Sequence, residues 1–172
     1  NGGTPSFLGY HGYPATICTS VNSQVVHGIP GELTLHEGDI ISIDCGAIVD
    51  GWHGDSAISL GIGEISPEDQ KMIDVCENSM WAGIAAAKVG GRLTDLSAAI
   101  EKAITSRGKY GIVREYGGHG IGTAMHQEPH LLNYGSAGRG PKLVAGMALA
   151  VEPMIMHGSE KVRVESDEWT VT

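Results

Sequence analysis

Apolar residues recur through two neighbouring stretches in the first half of the chain, and this pattern predicts a β-hairpin. The stretches cover residues 39–49 and 52–60. Each has the length of a strand, and the first is rich in isoleucine. Between them stands Asp50-Gly51, a dipeptide that strongly favours a two-residue hairpin turn. We therefore predict that the two stretches pair as antiparallel strands.

The predicted hairpin carries two carboxylates that its turn does not explain, although aspartate is depleted in strands. A two-residue loop pairs Val49 with Trp52 and places Asp44 opposite Ala57. Asp55 lies two residues from Ala57 and therefore on the same face as Asp44. The two carboxylates become diagonal neighbours, with Cβ atoms about 7 Å apart or less.

Two segments after the hairpin show the period of amphipathic helices. The first begins at Ser66, an N-cap followed by Pro67, and its apolar residues recur at three- and four-residue spacing until Gly90-Gly91. The second begins at Thr94 and ends at Gly108. Further extended segments are predicted at residues 16–28, with a polar break at residues 20–24, and at residues 112–116 and 142–156. Residues 161–164 are predicted to pair with 169–171. This order predicts an α+β fold with antiparallel sheet.

Composition narrows the class of protein. The chain has 172 residues, 41% of them hydrophobic, which suits a single domain with a packed core. A net charge of −9 argues against a nucleic-acid partner. No apolar run reaches the ~18 residues of a membrane span, and no signal-peptide pattern is recognised. Three widely spaced cysteines favour reduced thiols in a cytoplasmic protein.

Two carboxylates on one hairpin face repel each other, and a bound cation removes that repulsion. Two cations ~3.5–4 Å apart could also be bridged by such carboxylates. The alternative is that Asp44 and Asp55 both lie on a solvent-exposed face of the sheet. The hairpin by itself leaves both interpretations open.

Three further residues are candidates for metal chemistry. His119 and His126 stand in a glycine-rich segment that allows a bend between them, and Glu152 interrupts an apolar run. Taken singly, a histidine is more often an ordinary core or surface residue, and Glu152 could end a strand at the surface. Together with Asp44 and Asp55, His119 and Glu152 form a carboxylate-rich set with one imidazole, which suits Mn²⁺, Fe²⁺, Co²⁺ or Zn²⁺.

The motifs around these residues resemble one known family. Asp44 and Asp55 lie eleven residues apart, "GHGIG" surrounds His119, His126 follows seven residues later, and "VEPM" contains Glu152. This set is similar to the methionine aminopeptidases of the type I bacterial form. "PSFLGYHGYPATICTSVN" and "VVHGIP" resemble that family's substrate-side segment and distinguish it from the prolidases, which share the metal ligands. The resemblance covers residues 5–172.

The resemblance implies a fold and a metal centre. The family's fold is the α+β "pita-bread" domain, in which a curved antiparallel sheet is flanked by helices. Two divalent ions are expected, Co²⁺, Mn²⁺, Fe²⁺ or Zn²⁺, with Asp44 and Asp55 on the first and Asp55 bridging to the second. His119 is the expected imidazole ligand of the second ion, and Glu152 is expected to bind metal and to move protons. A hydroxide that bridges the ions is expected to attack the first peptide bond.

The resemblance also implies how substrate is held. His27 matches the histidine near the scissile amide nitrogen, and His126 matches the one that hydrogen-bonds the substrate and its developing oxyanion. The expected pocket for the methionine side chain is apolar, aromatic and sulfur-lined, with ordinary core packing as the alternative for two of its members, Phe7 and Met125. Its matching residues are Phe7, Tyr10, Tyr13, Cys18, Met125 and Trp169.

Partners follow from the same resemblance. The expected substrate is the initiator methionine at the N-terminus of a nascent chain, with the ribosome as a further candidate partner, and the enzyme is expected to be a monomer without membrane or nucleic-acid contacts. Backbone carbonyls of Asn22 and Gln24 match positions that hold a monovalent cation.

The chain is expected to be one catalytic domain, residues 1–172, that lacks two of the family's segments. The family's N-terminal helical segment and its C-terminal strand, which carries a fifth ligand, a glutamate, are not expected within it. Two rival functions stay open on the residues alone: a prolidase-like or X-Pro aminopeptidase of the same fold, and a binding module that has lost catalysis.

Overall fold

The computed structural model describes residues 2–172, which form two compact units. Unit 1 comprises the chain up to Gln70 together with Gly122–Met125 and Val162–Thr172. Unit 2 comprises Lys71–Ile121 and His126–Lys161. Among the described residues, no helix combines the length and the apolar character that crossing a membrane requires.

Unit 1 is built on an antiparallel sheet whose central strand pairs with three others. Its strands are β1 (Thr4–Pro5), β2 (Cys18–Val21), β3 (Ile40–Val49) and β4 (Trp52–Gly61). β3 pairs with β4 along its whole length, and its other edge is shared by β1 and β2. A short 3-10 helix, Tyr10–Gly12, lies between β1 and β2.

The predicted hairpin is confirmed in its turn and in its register. Asp50 and Gly51 have φ values of 51° and 81°, as a two-residue type I′ turn requires. Val49 pairs with Trp52, so every residue of the two strands faces the partner expected from the sequence. A local turn signal therefore positions side chains as far away as the middle of each strand.

Two other predictions for unit 1 are corrected in extent. The strand expected from residue 16 runs over Cys18–Val21 and ends within the polar break expected at residues 20–24, because the side-chain carbonyl of Gln24 accepts the Val21 amide and Asn22 turns the chain at φ 53°. The pairing expected between residues 161–164 and 169–171 is observed slightly further along the chain: Val164 bridges Val171, and Arg163 exchanges two main-chain hydrogen bonds with Thr172. Val171 also bridges to Val26.

Unit 2 contains most of two helices and two small antiparallel sheets. Its elements are α1 (Pro67–Ala86, whose first turn belongs to unit 1), α2 (Leu93–Thr105), β5 (Tyr110–Ile112), β6 (Gly118–Gly120), β7 (Gln127–Leu131), β8 (Leu149–Ala150) and β9 (Ile155–His157). β5 pairs with β9, and β6 lies between β7 and β8. The mixture of helices with antiparallel sheets confirms the predicted α+β class.

The helices begin close to where the sequence predicts and end earlier. Ser66 caps α1, since its Oγ accepts the Asp69 amide at 3.0 Å. The amide of Ala87 bonds to the carbonyl three residues back, which closes the helix before the predicted stop at Gly90. The Gly90 amide instead donates to Leu143. α2 ends at Thr105, not Gly108, in the same tightened way.

The core of unit 2 lies against α2. Leu96, Ile100 and Ile104 are fully buried on one face of the helix, at the spacing of its apolar stripe. Ile100 and Ile104 pack with Val75 and Ile112, and Leu96 packs in a second cluster with Leu131 and Leu143. This core packs β5, through Ile112, and β7, through Leu131, against α2.

The long strand predicted over residues 142–156 is wrong. Only Leu149–Ala150 and Ile155–His157 are strands, and the chain between them includes Glu152 and Pro153. Proline has no amide hydrogen to donate to a ladder, and the Glu152 carbonyl accepts a hydrogen bond from the Asn133 side chain. The apolar run therefore breaks at the candidate glutamate.

Candidate metal and substrate residues

Asp44 and Asp55 lie on one face of the β3–β4 hairpin, as predicted. Asp44 pairs with Ala57 and Asp55 with Gly46, so the carboxylates are diagonal neighbours across the two strands. Both side chains are half-buried. On the other side of β3, Cys18 pairs with Asp44. Unit 1 thus presents two candidate oxygen ligands on neighbouring strands of a fully paired hairpin.

His119 and Glu152 form a second pair of candidate ligands, within unit 2. His119 is buried in β6, and its Nε2 lies 3.1 Å from Glu152 Oε1. Its Nδ1 lies 2.9 Å from the carbonyl oxygen of Gly120, which can only accept. A proton on Nδ1 leaves the Nε2 lone pair of a neutral imidazole facing a carboxylate oxygen. Both atoms can donate a lone pair to one bound cation. A tautomer fixed by a hydrogen bond at the other ring nitrogen is typical of metal-binding histidines.

His126 stands beside this pair. Its ring centroid is 4.3 Å from that of His119, with the planes at 69°. β6 and β7 pair as antiparallel neighbours, with a register shift after His119, so the bend expected between the two histidines is observed. His126 is exposed, which leaves its ring accessible to a substrate.

Glycines on both sides of His119 allow strands to approach it closely. A Cβ on Gly118 would lie 2.2 Å from the carbonyl oxygen of Ala150, and a Cβ on Gly120 would lie 2.4 Å from that of Glu128. Only glycine fits at such separations. The "GHG" motif therefore serves to place His119 between two neighbouring strands.

Asn133 is a residue that the sequence did not single out. It is fully buried, and its Nδ2 donates to the main-chain carbonyl of Glu152 at 3.0 Å. This bond fixes the main chain at a candidate ligand. The signal in the sequence was a single polar residue within "LLNYG", which has no periodic or motif character.

His27 has an unusual backbone in unit 1. Its φ is 60°, in the left-handed region that few residues other than glycine adopt. Burial lowers the pKa of His27 below its ordinary value near 6.5. The imidazole is therefore neutral at pH 7 and able both to donate and to accept.

The predicted pocket residues fall into small groups within unit 1. Phe7 and Met125 are buried against Gly46, where a Cβ would lie 2.8 Å from the Phe7 ring and 3.1 Å from Met125 Cε. Gly46 is the cross-strand partner of Asp55. The larger side chains thus pack directly beside a candidate metal ligand.

The remaining pocket residues are three aromatic residues and a thiol. Tyr13 and Trp169 meet edge to face at 5.0 Å, and Tyr10 packs on His11 at 4.4 Å. Burial raises the pKa of the Cys18 thiol to about 11, with the charges of Asp44 and Asp55 adding to the effect. Cys18 is therefore a neutral, apolar thiol at pH 7 and not a nucleophile.

Comparison with known proteins gives a consistent result. Residues 1–171 match metallopeptidase family M24. The chain is 55% identical over 168 residues to the methionine aminopeptidase of Clostridium acetobutylicum, covering 97% of this chain and 67% of the relative. It is 53% identical to methionine aminopeptidase 1 of Mycobacterium tuberculosis, covering 100% and 67%. The crystal structure of the Rickettsia prowazekii methionine aminopeptidase superposes with a TM-score of 0.96 at 40% identity, covering 99% and 68%.

Proposed function

The chain belongs to metallopeptidase family M24 and to its methionine aminopeptidases, and we propose that its four predicted ligands bind the catalytic metal ions. The enzyme is a hydrolase that removes N-terminal methionine in a metal-dependent reaction, and its fold is the pita-bread fold of the family. The proposed ligands are Asp44, Asp55, His119 and Glu152.

The chemistry of the four residues supports this proposal. Three carboxylates and one imidazole match the preferences of Mn²⁺, Fe²⁺, Co²⁺ and Zn²⁺, of which we propose that two ions are bound. When bound, such ions polarise a carbonyl group and lower the pKa of a coordinated water. The observation that carries the proposal is the Nε2 of His119, which faces Glu152 Oε1 at 3.1 Å while Nδ1 is engaged by Gly120.

Three residues are proposed to act on the reacting groups. His27 is proposed to hydrogen-bond the scissile amide nitrogen, which its neutral imidazole can do at pH 7. His126 is proposed to bind the substrate carbonyl and stabilise the negative charge that develops there, which its exposure beside His119 supports. Glu152 is proposed to carry a proton to the leaving amine, since a carboxylate can both bind metal and exchange protons.

The methionine side chain is proposed to bind among the predicted pocket residues. Aromatic rings and a neutral thiol are soft, polarisable surfaces that suit a thioether. The packing of Phe7 and Met125 beside the partner of Asp55 supports a pocket next to the metal ligands. The proposed residues are Phe7, Tyr10, Tyr13, Cys18, Met125 and Trp169.

The wider setting is also proposed. Residues 1–172 are proposed to form a single catalytic domain that acts as a monomer in the cytoplasm on nascent chains, with the ribosome as a candidate partner. The carbonyls of Asn22 and Gln24 are proposed to hold a monovalent cation. Side-chain hydrogen bonds shape the turn at these residues. The Asn22 side-chain amide donates to Asp39 and accepts from the Ile40 main chain, and the Gln24 side chain accepts from the Val21 main chain.

Substitution of one hairpin aspartate tests the metal proposal. Asp55→Asn is expected to weaken Mn²⁺ binding by at least about tenfold, a change of ~1.4 kcal/mol, because a charged ligand is replaced by a neutral one. Asp50→Asn is the matched control, since Asn-Gly serves the turn as well as Asp-Gly. Calorimetric titration of both variants with Mn²⁺ measures the difference. Equal affinities in the two variants contradict the ligand assignment.

Substrate preference tests the pocket. Met-Ala-Ser is expected to be cleaved with a kcat/KM at least about tenfold higher than peptides that carry proline at the second position, because the pocket residues accept an unbranched thioether side chain at the first position. Steady-state kinetics of the two peptide classes at one metal concentration gives the ratio. Faster cleavage of the X-Pro peptides contradicts the proposed pocket and favours a prolidase-like specificity.

A further inference from the structure

Gly28, the residue that follows His27, is held by hydrogen bonds to both its main-chain amide and its main-chain carbonyl. The Gly28 amide donates to Ser20 Oγ at 3.1 Å. The Gly28 carbonyl accepts two bonds, from the Thr19 amide at 2.8 Å and from the Tyr13 hydroxyl at 3.0 Å. Gly28, Ser20 and Tyr13 are all buried. We call these four hydrogen-bonding residues, Tyr13, Thr19, Ser20 and Gly28, the Gly28 frame.

The frame is tight enough to fix the main chain. A Cβ on Gly28 would lie 2.2 Å from the carbonyl oxygen of Thr19, so the chain runs in direct contact with β2 at this point. On the other side of His27, Val26 is bridged to Val171. His27 is therefore fixed at both of its peptide groups.

His27 itself needs such support. A φ of 60° is uncommon for a histidine, and residues in this region persist where the surrounding structure fixes them. Such backbone conformations cluster at functional sites, because they aim a side chain in a direction that regular structure does not allow. The Gly28 frame is the local structure that fixes this one.

We propose that Ser20 and Tyr13 are positioning residues, whose hydroxyl groups hold the main chain at Gly28 so that the His27 imidazole points at the substrate. This inference rests on the role proposed above for His27. Neither hydroxyl needs to touch the substrate to act in this way. Burial raises the pKa of Tyr13 well above its usual range, which keeps its hydroxyl protonated and able to donate.

The hydroxyls of Ser20 and Tyr13 make different hydrogen bonds in the Gly28 frame, so their removal is expected to lower kcat to different degrees. Ser20 supplies the acceptor for the Gly28 amide, so its loss leaves a buried donor without that acceptor. Tyr13 is one of two donors to the Gly28 carbonyl, and its single hydroxyl proton is shared with the carbonyl oxygen of Ile17 at 3.1 Å. Its loss therefore leaves the bond from the Thr19 amide in place. Ser20→Ala is therefore expected to have the larger effect and Tyr13→Phe the smaller.

Kinetics of matched serine variants tests the proposal. Ser20→Ala is expected to lower kcat for Met-Ala-Ser by roughly ten- to a hundredfold, the effect of a small misplacement of a reacting group, with Mn²⁺ affinity unchanged. Ser42→Ala is the control, because Ser42 pairs with Ser20 across β2 and β3 while its own hydroxyl bonds Ser59. The control is expected to keep the kcat of the parent enzyme. Ser20→Thr, which retains a hydroxyl, is expected to recover most of the loss.

A double-mutant cycle separates positioning from a general structural effect. If Ser20 acts through His27, Ser20→Ala causes no further loss of kcat in a His27→Asn background. Losses that multiply in the double variant overturn the proposal, and so does an unchanged kcat in Ser20→Ala alone. Should Ser20→Ala fail to fold, Tyr13→Phe enters the same cycle with the same criteria.

A measurement without catalysis keeps this inference distinct from the role of His27. If the His27 variants retain full kcat, the proposed role of His27 fails, and the frame is then judged by the NMR signals of the His27 ring. A shifted ring signal in Ser20→Ala but not in Ser42→Ala supports positioning. A ring signal that is identical in both variants overturns it.

Discussion

Replacing His27 with alanine is expected to lower kcat for Met-Ala-Ser by roughly 10²–10⁴-fold, the usual contribution of a group that exchanges a proton or hydrogen bond with the reacting atoms. Burial keeps the imidazole neutral at pH 7, so it can serve the amide nitrogen without first losing a proton. The proposed metal ligands are other residues, so bound Mn²⁺ is expected to remain. Steady-state kinetics together with metal analysis of the purified variant measures both effects.

The backbone of His27 calls for a second substitution. At a φ of 60°, alanine is strained, whereas asparagine adopts this region more readily. His27→Asn therefore removes the imidazole with less strain, and it is expected to lose kcat to the same degree. His36→Ala is a matched control, because His36 is exposed. Full kcat in both His27 variants contradicts the proposed role, and loss of Mn²⁺ in both assigns His27 to the metal instead.

The hairpin could be predicted because its information is local. Asp50-Gly51 fixes the turn, the turn fixes the register, and the register puts Asp44 and Asp55 on one face. The apolar run over residues 142–156 carried no comparable signal, and its two short strands are set by partners distant in sequence, β5 and β6. Extended structure that depends on distant partners cannot be located from the run itself.

The candidate site likewise has a part that local sequence signals predict and a part that they do not. The diagonal placement of Asp44 and Asp55 followed from strand geometry, whereas the approach of His119 to Glu152 has no trace in their spacing and was expected only from the family's motifs. The supporting residues Asn133 and Ser20 were missed altogether. Each is one buried polar side chain bonded to a distant main-chain group, and a single such residue has no period or motif that sequence could reveal.

Gly118→Ala is expected to lower the free energy of unfolding by about 3 kcal/mol, the upper range for overpacking a core. The added Cβ would lie 2.2 Å from the Ala150 carbonyl oxygen and 3.3 Å from Leu131 Cβ. The first of these is main chain, so no side-chain rotation relieves the contact, and β6 is held by strands on both sides. For a domain of this size the melting temperature is expected to fall by roughly 6–12 °C.

The same displacement should reach two of the proposed metal ligands, because Gly118 adjoins His119 and Ala150 lies two residues before Glu152. Gly54→Ala is the control: it also lies in a strand, β4, with nothing within 4 Å of its added Cβ, and its effect is expected to stay within about 0.5 kcal/mol. Thermal and urea unfolding of both variants, followed by Mn²⁺ titration, measures the two consequences. If the two variants are equally stable, β6 and β8 can move apart without cost. The 3.1 Å distance between His119 Nε2 and Glu152 Oε1 then does not depend on Gly118.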